Sequence, residues 1–172
     1  MKRAIVLALS VILALVVAAP TVLAQGNGGA PEDANFSFDL PPQDDTDLTS
    51  TASFGCDFPL HFDVTGKAKT IELPDGGFIM TAPGLYVTVT NLDTLEALTF
   101  NITGSTFASA PDENGVVDYV ITGRNLALDP AGLFLNEGRF TYTLDQSDPN
   151  NIKIVKPQEG KGQAIDVCEL LS

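Results

Sequence analysis

Hydrophobic and polar residues alternate in short runs along the chain from Thr51 onward. The pattern is clearest over residues 58–65, where Phe, Leu, Phe and Val occupy every second position. The same period of two recurs over residues 85–90, 97–103 and 139–144. Such alternation predicts β-strands that have one buried side and one side facing solvent.

Turn-forming residues separate these runs. Pro74-Asp75-Gly76-Gly77 lies between two of them, and Asp112-Glu113-Asn114-Gly115 is the strongest signal because Asn-Gly accepts positive φ. The turns delimit about 8–9 short strands, with no amphipathic helix between them. Ala164–Leu171 fits either a strand or a helix, and we predict a strand. The domain is therefore predicted to be all-β, either an antiparallel β-sandwich or a small closed β-barrel.

Residues 1–24 have a different pattern, which is typical of a secretory signal peptide. The basic pair Lys2-Arg3 precedes the uncharged run Ala4–Ala19, and Val22-Leu23-Ala24 places small residues before a cleavage site. The run is shorter than the roughly 20 residues that span a bilayer, so we expect cleavage rather than an uncleaved anchor. No later segment is apolar enough to span a membrane. The mature protein is therefore expected to be secreted and not membrane-bound.

Residues 25–50 contain six acidic residues and no basic one, with little hydrophobic content. This composition predicts an acidic flexible tail before a domain at residues 51–172. Phe36, Phe38 and Leu40 alternate within it. They either add a strand to an exposed sheet edge, dock on the domain, or make only a transient contact, and we favour the transient contact.

Composition excludes several functional classes. The net charge is −13, and a chain this acidic is repelled by phosphate backbones, so no nucleic-acid partner is expected. One His and two Cys cannot supply the four ligands of a structural zinc ion. We predict no metal and no cofactor. The oxygen-rich turn around Asp145, Asp148 and Asn150 is predicted as an ordinary Asx turn rather than a calcium site.

The two cysteines lie near opposite ends of the predicted domain. Cys56 precedes its first strand, and Cys168 lies in its last element. Two cysteines in an exported protein most simply form one disulfide, with a pair of free buried thiols as the alternative. The bridge would require Cα atoms within about 7 Å of each other. The two ends of the domain are therefore predicted to be neighbours.

No sequence motif assigns a reaction. His61 and Asp63 share the polar side of one predicted strand, but no nucleophile motif accompanies them. Arg124 and Arg139 each follow a glycine, and such an arginine either grips a carboxylate or phosphate ligand or fixes a loop. Tyr119 is one of only three tyrosines. These five are the candidate ligand-binding residues, and no catalytic residue is predicted.

Four short segments resemble a known group of proteins. They are Thr90-Asn91-Leu92-Asp93, Thr122-Gly123-Arg124-Asn125-Leu126, Gly160-Lys161-Gly162-Gln163 and Ile165-Asp166-Val167-Cys168. They resemble segments of small exported β-rich proteins of actinobacteria and related bacteria, for which no activity is known. The resemblance covers roughly residues 55–171. It implies export and a β-rich fold, and it implies no activity.

Two functions are consistent with these observations. The first is an exported, non-enzymatic β-domain with a binding or cell-envelope role. The alternative is a small β-barrel that binds or transforms an apolar small molecule in its interior. Its partners would then be a cell-envelope component or a small molecule, respectively. An interior with no cavity above about 300 Å³ would argue against the alternative.

The disulfide gives the first testable prediction. Reduction of the purified protein should raise its intact mass by about 2 Da, because each sulfur gains one hydrogen. Mass spectrometry under denaturing conditions, with and without reductant, measures this shift. A Cys56→Ser variant should show no such shift as a monomer, and an unchanged mass of the natural chain would indicate free thiols.

Overall fold

The computed structural model describes residues 29–43, 55–129, 132–148 and 152–172. The predicted signal peptide, residues 1–24, lies outside these ranges. The described elements, in chain order, are β1 (Glu32–Asp33), β2 (Phe36–Leu40), β3 (Leu60–Thr65), β4 (Lys67–Glu72), β5 (Phe78–Thr81), β6 (Tyr86–Asn91), β7 (Ala97–Asn101), β8 (Ser105–Ala108), β9 (Val116–Asp129), β10 (Gly132–Asp145), β11 (Lys153–Asp166) and the single helical turn α1 (Val167–Leu170).

The strands form two sheets. The larger sheet has the strand order β1-β4-β5-β8-β9-β10-β11, and the smaller sheet has the order β2-β3-β6-β7. Every pairing is antiparallel. The all-β prediction is confirmed. The described strands do not close into a barrel. Of the two predicted architectures, the structure therefore has the one made of two sheets.

The main core lies between the two sheets. On β3, Leu60, Phe62 and Val64 are at most 4% exposed, whereas the residues between them are half-buried or exposed. They belong to one cluster with Leu133 and Leu135 from β10 of the larger sheet. The alternate hydrophobic residues that predicted β3 are therefore buried on one side of the strand. Burying large aliphatic and aromatic side chains in this way is the main source of stability for such a domain.

The β9–β10 hairpin buries opposite faces in its two halves. Near the turn, Leu128 and Leu133 are cross-strand partners in the main core. In the other half, the partners Tyr119 and Tyr142 belong to a second cluster. The register between the strands is continuous, yet Leu128 and Tyr119 have opposite parity. Since side chains alternate across a strand, the buried side changes from one face to the other along the hairpin.

Three glycines lie where the buried side changes. Gly123, Gly138 and Gly162 are cross-strand partners on β9, β10 and β11, and we call them the glycine row. All three have positive φ, at 80°, 146° and 153°. A Cβ atom on Gly138 would lie 2.3 Å from the carbonyl oxygen of Lys161. Only glycine fits this backbone conformation and this close approach.

The disulfide prediction is confirmed. Cys56 and Cys168 are bonded, with their Cα atoms 5.4 Å apart and a sequence separation of 112 residues. A loop of this length corresponds to roughly 4–5 kcal/mol in the loop-entropy description, and native bridges typically contribute about 2–4 kcal/mol. Leu171, which follows α1, is fully buried, and its carbonyl oxygen accepts a hydrogen bond of 2.9 Å from the Asn91 side chain. The disulfide and the buried, hydrogen-bonded Leu171 thus both hold the C-terminal residues against the domain.

The C-terminal element differs from the prediction. β11 ends at Asp166, and Cys168 lies in the helical turn α1 rather than in a strand. The side chain of Asp166 accepts a hydrogen bond from the backbone N–H of Glu169 at 3.1 Å. Such a side-chain cap satisfies a free donor at the start of a helix. The strand therefore ends at Asp166, and the helical turn begins after it.

The N-terminal segment also differs from the favoured interpretation. Residues 29–43 were predicted as part of a flexible tail, but β2 lies within them and pairs along its whole length with β3. The ring of Phe38 stacks on that of Phe62, with centroids 4.8 Å apart. Leu40 is buried in the main core. In the structure, this segment adds a strand to the edge of the smaller sheet, which was one of the alternatives. It does so because the apolar side of β2 completes the main core.

The glycine row can be tested by adding one methyl group. Gly138→Ala should lower the free energy of unfolding by about 1–3 kcal/mol, because alanine is strained at this φ and its Cβ meets the neighbouring strand. Urea denaturation monitored by circular dichroism measures the change. Gly29→Ala is the matched control, since nothing lies within 4 Å of its added Cβ. Equal stability of the two variants would contradict the role of the row.

Candidate functional site

The smaller sheet has one polar side, which faces away from the main core. We call it the outer face. It consists of alternate residues of four strands: Ser37 and Asp39 on β2, His61, Asp63 and Thr65 on β3, Tyr86, Thr88 and Thr90 on β6, and Thr99 and Asn101 on β7. The residues between them carry the core-facing side chains. The same alternation that builds the core therefore also places ten polar side chains on one surface.

His61 lies between two carboxylates on this face. Its Nδ1 is 2.5 Å from Oδ1 of Asp39, which is its partner across the β2–β3 pairing. Its Nε2 is 3.4 Å from Oδ2 of Asp63, two positions along the same strand. The sequence placed His61 and Asp63 together, and the structure confirms that placement. Because both ring nitrogens face carboxylates, neither is directed at a hydroxyl nucleophile.

The two carboxylates change the titration of His61. The hydrogen bond with Asp39 raises its pKa above the ordinary value of 6.5. Partial burial opposes this effect, and the charges of Asp63 and Asp39 support it. The charged imidazolium is therefore stabilised by the fold. The cluster is an ion-paired link between β2 and β3.

A second part of the outer face surrounds Tyr86. Its side chain is 44% exposed, and its cross-strand partners are Thr65 on β3 and Asn101 on β7. Next to it, the hydroxyl oxygens of Thr88 and Thr99 are 2.8 Å apart. Oδ1 of Asn101 is shielded from solvent and accepts no hydrogen bond within the described residues. An exposed ring thus lies beside two threonine hydroxyl groups, and the neighbouring amide oxygen is shielded from solvent.

The structure places Tyr119 away from the surface. Its side chain is 1% exposed, and its ring stacks on that of Tyr142 at a centroid distance of 4.9 Å. Its hydroxyl oxygen accepts a hydrogen bond of 2.9 Å from the side chain of Gln146. Burial raises the pKa of Tyr119. A buried, hydrogen-bonded ring of this kind supports the second core cluster rather than presenting a contact to a ligand.

The two arginines lie on the larger sheet, away from the outer face. Nε of Arg124 is 2.8 Å from Oε1 of its cross-strand partner Glu137. Its N–H does not point at that oxygen, so the contact is an ion pair rather than a hydrogen bond. Arg139 is exposed and lies opposite Lys161 of β11. The structure does not bring either arginine together with His61, so the five candidates do not form one site.

Two spaces in the described structure could be considered for a small molecule. A cavity of about 50 Å³ lies between the sheets, lined mainly by apolar side chains that include Phe62, Val87 and Leu126. A groove of about 270 Å³ runs over β9, β10 and β11, and Lys156 is among its lining residues. Sites for small molecules usually enclose about 300–1,000 Å³. Neither space therefore matches an enclosed ligand site.

The described acidic and histidine side chains are spread over the surface rather than gathered at one metal site. Within the described ranges, no three His, Cys, Asp or Glu side chains converge closely enough to hold a metal ion. The carboxylate of Asp145 accepts a hydrogen bond of 2.9 Å from the backbone N–H of Ser147. This is the Asx turn that the sequence predicted at this position, although Asn150 lies outside the described residues.

Comparisons with known proteins add no assignment. No family model, no curated protein and no solved structure matches the chain. The resemblance to exported actinobacterial proteins therefore stays a prediction. Among the described residues, the helical turn is too short to cross a membrane.

Sequence reasoning missed Asp39 as a partner of His61. Asp39 was assigned to the acidic tail, whereas β2 places it opposite His61. The signal was present in the alternation of Phe36, Phe38 and Leu40, which puts Asp39 on the polar side of a strand. Sequence reasoning also missed Tyr86 and Asn101 as neighbours, because their proximity depends on the register between β6 and β7.

The His61 cluster predicts a specific dependence of stability on pH. Its pKa is higher in the folded chain than in the unfolded chain, so its contribution is complete below the unfolded pKa of about 6.5. That contribution is lost as the pH rises through the folded pKa. Urea denaturation at about pH 6 and about pH 8.5 should therefore show a loss of stability with rising pH.

A His61→Gln variant provides the comparison. It keeps a polar side chain between the carboxylates but does not titrate, so its stability should change less over the same interval. A decline as large as that of the natural chain would show that other groups cause the pH dependence. Two-dimensional NMR of the imidazole resonances would give the folded pKa directly.

Proposed function

We propose that this protein is a non-catalytic binding domain that works outside the cytoplasm, at the bacterial cell envelope. The outer face of the smaller sheet is its contact surface, and a polysaccharide of the envelope is its ligand. The arrangement around Tyr86 is the single observation that carries this proposal. It combines an exposed aromatic ring with paired threonine hydroxyls on the same side of the sheet.

This combination suits a sugar surface. A sugar ring has an apolar side made of C–H groups and a rim of hydroxyl groups. The ring of Tyr86 offers apolar area with a polar tip, while Thr88 and Thr99 both donate and accept hydrogen bonds. An open sheet side also offers an extended polymer a longer contact than it offers a small compact molecule.

The non-catalytic part of the proposal is supported by the state of the polar groups. Both nitrogens of His61 face carboxylates rather than a hydroxyl group. Catalytic acids and bases usually occupy clefts in which burial tunes their pKa values. Here the strongest pKa perturbation belongs to Tyr142, and burial in the core causes it.

Location outside the cytoplasm is supported by the disulfide. Disulfides persist in oxidising compartments and are rare in the cytosol. The bond between Cys56 and Cys168 therefore agrees with the signal-peptide pattern at residues 1–24. The net charge of −13 favours solubility of an exported chain.

The alternative ligand, an apolar small molecule in a barrel interior, has less support. The described strands close no barrel, and the cavity between the sheets is about 50 Å³. Phe62 and Leu126 fill much of the space that such a molecule would need.

Co-sedimentation tests the proposed function. The mature chain is mixed with insoluble peptidoglycan and, separately, with insoluble neutral wall polysaccharide, and the bound fraction is measured. The natural chain should bind at least one of them. Tyr86→Ala should weaken that binding by about tenfold or more, because the platform for the sugar ring is removed.

Phe107→Ala is the matched control, since Phe107 is also an exposed aromatic, at 37%, but lies on β8 of the larger sheet. It should bind like the natural chain. Absence of binding to both polymers, or equal loss in the two variants, would contradict the proposal.

A further inference from the structure

β11 forms an open edge of the larger sheet. It pairs with β10 on one side, and no described strand pairs with its other side. Residues 159–164 of this strand are all exposed, so this part of β11 is attached mainly through its backbone pairing to β10. An edge of this kind presents unpaired backbone N–H and C=O groups, which are a template for another strand.

The edge differs from the rest of the molecule in charge. Lys153, Lys156 and Lys161 lie on β11 and make up half of the six lysines in a chain whose net charge is −13. None of the three has a carboxylate within 4 Å among the described residues. Arg139 adds a fourth positive charge opposite Lys161. Between Lys153 and Ile165, Glu159 is the one acidic residue.

The basic side chains share one side of the sheet. In the register between β10 and β11, Lys153, Lys156 and Lys161 lie opposite Asp145, Thr143 and Arg139. These β10 partners are at odd-numbered positions, so their side chains point to the same side. The groove of about 270 Å³ includes Lys156 and Glu159 among its lining residues. It lies where the register shifts between Thr141 and Thr143, and such bulges often mark binding sites.

We propose that the β11 edge binds an acidic, extended peptide segment of a partner protein, which adds to the larger sheet as its next strand. The open backbone groups specify a peptide, because a polysaccharide has no N–H and C=O groups spaced to continue the ladder. The lysines specify acidic side chains, because opposite charges on neighbouring strands attract. This inference is independent of the polysaccharide contact on the other sheet.

Lysine and proline on an edge strand also discourage indiscriminate pairing. Pro157 and the three lysines of β11 serve that purpose against neutral or basic strands. The same lysines attract an acidic strand. The edge is therefore selective for acidic partners. A second copy of this chain is disfavoured as the occupant, because pairing β11 with β11 would bring six lysines to one seam.

Fluorescence anisotropy with synthetic peptides tests this proposal. The probe is a capped, labelled eight-residue peptide of alternating glutamate and valine, titrated with the mature chain at low ionic strength. One comparison peptide replaces glutamate with lysine. Another keeps glutamate but replaces valine with proline, which cannot donate backbone hydrogen bonds. The glutamate–valine peptide should bind, and both comparison peptides should bind at least about tenfold more weakly.

Charge reversal on the protein locates the site. Lys161→Glu should weaken binding of the glutamate–valine peptide by about tenfold, because an attraction becomes a repulsion. Lys67→Glu makes the same charge change on β4 and should leave binding within about twofold. Thermal unfolding of both variants confirms that each is folded.

Three binding results would overturn the proposal. They are no binding of the glutamate–valine peptide, equal binding of the proline-containing peptide, and equal weakening by Lys161→Glu and Lys67→Glu. A chain that is dimeric in solution and becomes monomeric in Lys161→Glu would also overturn it, because a second copy would then occupy the edge. Tyr86→Ala should leave peptide binding unchanged, so a failure of this proposal and a failure of the polysaccharide proposal can be told apart.

Discussion

The close backbone approach at the glycine row is the constraint on which the arrangement of the two sheets depends. At Gly123, Gly138 and Gly162 three strands meet without side chains, and the pairing continues through them. Near the turn of the β9–β10 hairpin, the buried side covers the smaller sheet. Beyond the row, the buried side is the opposite one and surrounds Tyr119 and Tyr142. One hairpin therefore contributes to both cores.

The exposed surfaces follow from this arrangement. Because the larger sheet covers only one side of the smaller sheet, the other side is left to solvent, and it carries His61 and Tyr86. Because the strand order of the larger sheet ends at β11, that strand keeps an open edge. The two proposed contact surfaces thus belong to different sheets. They differ in chemistry as well, since one is rich in hydroxyl groups and the other in lysine.

Local alternation predicted the strands whose burial is one-sided, such as β3 and β6, and the expected export suggested the disulfide. Other features depend on long-range pairing that no local pattern contains. Residues 156–162 contain one proline, two glycines and four polar residues, a composition typical of a loop, but they continue β11 because β10 supplies their pairing. β8 was not predicted because it buries Thr106 and Ala108 and exposes Phe107, so no hydrophobic alternation marks it. Tyr119 was a surface candidate because the change of buried side along the hairpin is invisible in sequence.

The position of the disulfide has a mechanical consequence. Cys56 lies before β3 and Cys168 lies after β11, so every strand from β3 to β11 is enclosed between the bonded residues. A pulling force applied to the two ends of the chain passes through the sulfur–sulfur bond and does not load those strands. Of the described strands, β1 and β2 precede Cys56, so these two can be peeled away by tension. An anchored copy of this domain would therefore extend by the length of the segment before Cys56 and then resist.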